Sequence, residues 1–86
     1  MPKLEKSFRV RIISADKVRL DIRAKSMTAA NRDGVFDILP DHRPFITLIS
    51  SGDIMIRTPD KDIEQVTLER GILKCIDNEV VILTNI

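Results

Sequence analysis

Few residues in this chain could carry out chemistry. There is one histidine, His42, and one cysteine, Cys75, among 86 residues. A tetrahedral zinc site of Cys and His asks for about four such ligands, so these two would supply half. A serine, histidine and acid triad around His42 is possible by count, but no strand-to-helix elbow presents a nucleophilic serine. His42 lies in Pro40-Asp41-His42-Arg43-Pro44, a turn that it is expected to cap or brace. Cys75, between Lys74 and Ile76, reads as a packing thiol in a strand. The glycines Gly34, Gly52 and Gly71 are too far apart for a phosphate-cradling loop. Pro59-Asp60-Lys61-Asp62-Ile63-Glu64 gathers carboxylates without the central glycine and closing glutamate of a calcium loop, and reads as a solvated turn. With three Phe and no Tyr or Trp, the chain offers no stacking platform for single-stranded nucleic acid. A cofactor, a metal and a nucleic-acid partner are therefore not expected.

The charge is balanced overall, at +1, but not along the chain. Residues 1–25 hold eight Lys and Arg against Glu5, Asp16 and Asp21, which is 8 − 3 = +5 and leaves −4 for the remainder. Such a basic third suits an acidic partner, lipid headgroups or nucleic acid, or it simply wets one face of a sheet. Met1 to Lys6 has no apolar core of a signal peptide, and no run approaches the roughly 20 apolar residues of a membrane span. A lone cysteine forms no internal disulfide, which fits a reducing, cytoplasmic setting.

The elements that must position these residues are strands. Phe8, Val10 and Ile12 alternate with Arg9 and Arg11; Val18, Leu20 and Ile22 alternate with Arg19, Asp21 and Arg23. Ile54 and Ile56, then Val66 and Leu68, show the same period of two, which places one set of side chains in a core and the other in water. Val80-Val81-Ile82-Leu83 is apolar throughout and predicts a central strand buried on both faces. Turn residues recur between the runs: Ala15-Asp16-Lys17, Asn31-Arg32-Asp33-Gly34, Pro40 to Pro44, Ser51-Gly52, Pro59 to Asp62, Arg70-Gly71 and Asp77-Asn78-Glu79. Residues 52–58 and 63–69 should pair as a hairpin. The expectation is one all-β domain over residues 1–86, a small two-sheet β-sandwich of about eight to ten short, mostly antiparallel strands.

One segment is more specific. Asp33-Gly34-Val35-Phe36-Asp37-Ile38-Leu39-Pro40-Asp41-His42-Arg43-Pro44-Phe45-Ile46-Thr47 resembles the signature of the epsilon subunit of F-type ATP synthases. That signature is a glycine turn, a short apolar strand, Leu-Pro-x-His-x-Pro, and a second apolar strand. Phe8 to Ser14, Ser51 to Arg57, Arg70 to Cys75 and Asn78 to Thr84 resemble further strands of that family in the right order, so the likeness spans residues 8–84. The chain departs from the family where Asp37 and Asp41 replace usual glycines, where Arg43 replaces a small residue, and where a Gly-Gly pair is reduced to Arg70-Gly71.

The resemblance implies a non-catalytic sandwich in the central stalk of a proton- or sodium-translocating synthase, coupling the gamma subunit to the polar loops of the membrane c-ring. It implies a peripheral position at the cytoplasmic face of the cell membrane. Carried over by position, Asn31, Arg32, Asp33, Gly34 and Val35 would face the c-ring. Ser14, His42 and Thr47 would face gamma, with Asp41 and Arg43 beside them able to add ion pairs. The family's C-terminal helical hairpin, which inhibits hydrolysis and in some members binds ATP, has no counterpart before Ile86, so neither role is expected here. A free-standing β-sandwich that binds its own protein ligand shares the same fold, and a small enzyme would require His42, a serine and an acid to converge.

Overall fold

A computed structural model describes residues 6–15, 17–50 and 52–84. The turn positions Asp16 and Ser51 and the first five residues lie outside these. Nine strands form in the order β1 (Phe8–Ser14), β2 (Lys17–Ala24), β3 (Ser26–Asn31), β4 (Gly34–Ile38), β5 (Phe45–Ile49), β6 (Gly52–Arg57), β7 (Ile63–Leu68), β8 (Gly71–Ile76) and β9 (Glu79–Thr84). They make a five-stranded sheet, β2-β1-β9-β8-β5, and a four-stranded sheet, β4-β3-β6-β7. Only β1 and β9 pair in parallel; all other pairs are antiparallel. The expected sandwich and the β6–β7 hairpin are both present. That hairpin turns through Pro59 to Asp62, closed by Thr58 N–H to Asp62 O at 2.9 Å and Lys61 N–H to Thr58 O at 3.0 Å.

The period of two builds the core. Phe8, Val10 and Ile12 of β1, with Leu73, Val80 and Ile82 of the same sheet, face Ile54, Ile56 and Leu68 of the other, all at or near zero exposure. Each large side chain buried this way contributes about 1.5–3 kcal/mol of apolar transfer. Cys75 lies in this core, as expected of a packing thiol, and burial pushes its pKa up.

Two expectations fail at the surface of the larger sheet. Val18 does not continue the buried row of Leu20 and Ile22. The pairing slips from Ile12–Leu20 to Ile13–Val18, so Arg19 is an extra residue and Val18 turns outward, 58% exposed. β9 is central, with β1 and β8 on its flanks, but only one of its faces is buried. Val80 and Ile82 point into the core, while Val81 is half-buried and Leu83 is 50% exposed on an uncovered outer face.

Candidate interaction site

The β3–β4 and β4–β5 connections place most of the sequence-predicted residues at two ends of the sandwich. At one end, the β3–β4 turn carries Asn31 to Val35. Asn31 organises it: its Oδ1 accepts from Asp33 N–H at 2.9 Å, and its Nδ2 donates to Thr47 Oγ1 on β5 at 3.1 Å. The first bond is an Asx turn, the reason Asn suits this position. Ser50 N–H to Ala30 O, 3.0 Å, ties the two sheets just behind the turn. Gly34 has φ of +126° with open space around it, a backbone state that side chains resist. Arg32, Asp33, Gly34 and Val35 all project into solvent, Val35 with 75% exposure.

At the other end, the β4–β5 loop carries Asp41, His42 and Arg43. Asp41 sits at φ +64°, the left-handed state in which glycine is the easy residue and Asp a tolerated one. It is held by Lys6 Nζ at 2.8 Å and by two bonds with Asn78, Nδ2 to Oδ1 at 2.9 Å and Asp41 N–H to Asn78 Oδ1 at 2.6 Å. The hydrogen bond from Lys6, then that from Asn78, keep the Asp41 carboxyl below the usual carboxylate range, and Asp41 raises Lys6 in turn. His42 braces the same loop: Nδ1 donates to Arg43 O at 2.8 Å, and the ring lies 4.8 Å from Phe45 at a 46° tilt. Phe45 meets Phe36 edge-on at 5.7 Å. These contacts occupy His42 structurally, and the described residues contain no group of three or more His, Cys, Asp or Glu able to hold a metal ion.

The structure thus brings Asp41, His42 and Arg43 together and keeps Asn31 to Val35 together, about 17 Å away along the five-residue β4 and β5. It does not bring Ser14 or Thr47 onto the His42 surface. Ser14 is 1% exposed at the far end of β1, pointing inward beside Ile12 and Thr84. Thr47 faces inward from β5 and is bonded to Asn31.

Sequence reasoning missed the contrast between the two outer faces. On the four-stranded sheet that face is polar and internally bonded along its middle, with Val35 and Ile63 exposed at its ends. Asp53 accepts from Gln65 and Thr67 at 2.7 and 2.6 Å, Asp37 accepts from Thr28 at 2.6 Å, and Arg57 Nη1 reaches Thr28 at 3.1 Å. On the five-stranded sheet, Val18, Ile13, Leu83, Ile72 and Leu48 line up in one register row across all five strands. Leu48, Leu83 and Ile72 are 68%, 50% and 46% exposed. Above the row lies a charged field: Arg9 grips Asp21 through Nε at 2.9 Å and Nη2 at 2.7 Å, and Glu79 sits loosely between Arg9 and Arg11 at 3.9 and 3.8 Å. The row comes from five separate strands, so only the pairing register reveals it.

Residues 7–86 match the family model described as the beta-sandwich domain of the ATP synthase delta/epsilon chain. The ATP synthase epsilon chain of Chlorobium limicola is 26% identical over 84 residues, covering 98% of this chain and 96% of that one. The epsilon chain of Moorella thermoacetica is 30% identical over 79 residues, and there this chain spans 59% of the relative's length. Among solved structures, a chain of the Euglena gracilis mitochondrial ATP synthase superposes with a TM-score of 0.86 at 15% identity, covering 96% of this chain and 53% of that one. A chain of the Tetrahymena thermophila central stalk and c-ring gives 0.76 at 16%, covering 100% and 67%. The structural identities of 15% and 16% establish the fold alone, whereas the family model spans nearly the whole sequence and describes the sandwich that the nine strands form: the chain belongs to the family of ATP synthase delta/epsilon-chain β-sandwich domains.

Proposed function

We propose that this chain is a non-catalytic central-stalk subunit of a proton- or sodium-translocating F-type ATP synthase. It couples the gamma subunit to the c-ring, as a peripheral component at the cytoplasmic face of the membrane. Family membership is the observation that carries this reading. The geometry supports it, because a coupler needs two separated contact regions on a body that does not shear. The Asn31–Val35 turn and the Asp41–Arg43 loop lie at opposite ends of a close-packed two-sheet core. In this reading Arg32, Asp33, Gly34 and Val35 touch the polar loops of the ring, with Asn31 setting the turn. Asp41, His42 and Arg43 meet gamma; Ser14 and Thr47, which the resemblance also puts on that side, lie inward and away from His42 and take no part in the contact.

The test is retention on purified partners. Arg32→Glu and Asp33→Lys should each lower retention on isolated c-ring while leaving the melting temperature and gamma binding intact. Arg43→Glu should do the reverse. Unchanged retention of the turn variants removes the ring assignment, and failure of the wild-type chain to bind either partner returns it to a free-standing binding module.

A further inference from the structure

We infer that the outer face of the five-stranded sheet docks a segment of another polypeptide that carries an apolar stripe with carboxylates beside it, one carboxylate seating between Arg11 and Lys74. This inference goes beyond the subunit role proposed above and does not rely on the assignment of either loop.

The argument starts from register. Ile13, Leu83 and Ile72 are direct neighbours across β1, β9 and β8, with Leu48 and Val18 extending the row to both edges. At about 4.8 Å between strands this makes an apolar band roughly 19 Å long. One residue pair further along the same face, Val81 is flanked by Arg11 on β1 and Lys74 on β8, two cations about 10 Å apart on either side of an apolar floor. Arg11 is under-served there. Its register partner on β2, Asp21, is taken by Arg9, and its closest carboxylate, Glu79, stands off at 3.8 Å from Nη2 and is shared with Arg9. A guanidinium end whose only carboxylate stands that far off can accept a second, closer one from outside.

Charge decides the occupant. This face presents Arg9, Arg11, Arg23 and Lys74 against Asp21 and Glu79, an excess of two positive charges, 4 − 2. A second copy packed face to face would oppose like charges across the apolar band. An acidic segment would instead complete the field. The band runs across the face of all five strands and not along an edge, so strand addition does not use it and side chains must make the contact. The opposite face shows the contrast, since its Asp53, Asp37 and Arg57 are already spent on internal bonds.

The experiment uses the whole chain and two synthetic amphipathic peptides with the same leucine stripe, one flanked by glutamates and one by lysines. Fluorescence anisotropy should show the glutamate peptide binding about tenfold more tightly at low salt, the size of one to two rim charge pairs changed from attraction to repulsion. Lys74→Glu should narrow or invert that preference, and Leu48→Ser with Ile72→Ser should abolish binding of both, with the melting temperature reported for each variant. Amide shifts on the glutamate peptide should concentrate on Ile13, Ile72, Val81 and Leu83 and spare Asp53 and Thr67. The inference is overturned by equal binding of the two peptides, by no binding of either, by shifts on the four-stranded sheet, or by a concentration-dependent dimer that Leu48→Asp dissolves.

Discussion

Adding one methyl group at Gly71 should destabilise the sandwich by a predictable amount. Gly71 opens β8 opposite Thr84 of β9. A Cβ built there lies 2.8 Å from the carbonyl oxygen of Leu83, 3.3 Å from Ile82 Cγ2 and 3.6 Å from Thr84 Cβ. The nearest atom is backbone, so no rotamer change relieves it. β9 cannot slide away either, since it is paired along its length with β1 on one side and β8 on the other. Overpacking of this kind costs about 1–3 kcal/mol. The loss of backbone freedom in the unfolded chain offsets about 0.4–1 kcal/mol, leaving about 1–2 kcal/mol for Gly71→Ala. At about 4–8 °C per kcal/mol for a domain this small, the melting temperature should drop by about 5–15 °C. Thermal denaturation followed by circular dichroism measures this directly, with urea unfolding as a second estimate. A melting temperature equal to or above that of the unsubstituted chain would refute the reasoning, because the unfolded-state gain would then exceed the clash.

Other outcomes follow from the same contacts. Phe45→Ala removes the ring that joins Phe36 and His42 and should cost about 2 kcal/mol, less than a fully buried Phe because Phe45 is half-exposed; chemical denaturation reads it, and a loss under 0.5 kcal/mol contradicts the bracing role. Asp41→Gly should keep the loop conformation while Asp41→Val should not, since only the first accepts φ of +64°; the His42 ring resonances in NMR distinguish them, and equal perturbation by both would count against the backbone argument. Asp21, held low chiefly by the hydrogen bond from Arg9, and Asp41, held low chiefly by Lys6, bind fewer protons folded than unfolded. Their stabilisation is therefore complete above about pH 4 and is lost as pH falls through their lowered folded values, so the Asp21→Asn, Asp41→Asn chain should show a shallower fall in melting temperature between about pH 5 and pH 2; parallel curves would negate it. Cys75, 3% exposed and with its pKa raised, should react with a thiol reagent only as the sandwich opens, at a rate that climbs with urea; prompt labelling of the native chain would contradict its burial.

Where alternation was strong the fold was legible. Phe8 to Ile12, Ile54 with Ile56, and Val66 with Leu68 each announced a face, and each faces the core, Val66 only half-buried. β3 was harder to see, because Ser26–Asn31 sends only Met27 and Ala29 inward and small residues carry little hydrophobic contrast. Val18 misled because a one-residue slip reverses every face beyond it, and nothing local to Arg19 announces the bulge. Val80 to Leu83 misled for a different reason: an apolar side chain predicts that something covers it, without saying whether that cover comes from the same chain. The Asn31 turn and the Asp41–Arg43 loop were readable from glycine, proline and Asx chemistry, which is local. Their separation to opposite ends, the inward aim of Ser14 and Thr47, and the apolar row on the outer face all depend on pairing between distant strands. Spacing along the chain holds no record of it.

The parallel pairing of β1 with β9 has a consequence for how the molecule comes into being. The ninth strand to be synthesised is the third across its sheet, wedged between the first and the eighth. Until residues 79–84 have left the ribosome, β1 with β2 and β8 with β5 remain two separate ribbons, each with a raw backbone edge and an open hydrophobic flank. Closing the gap brings together residues some seventy positions apart, as Arg9 with Glu79, so folding should be slow for a chain of this length and completed in one late step. A nascent chain stalled before that strand is a candidate for chaperone capture.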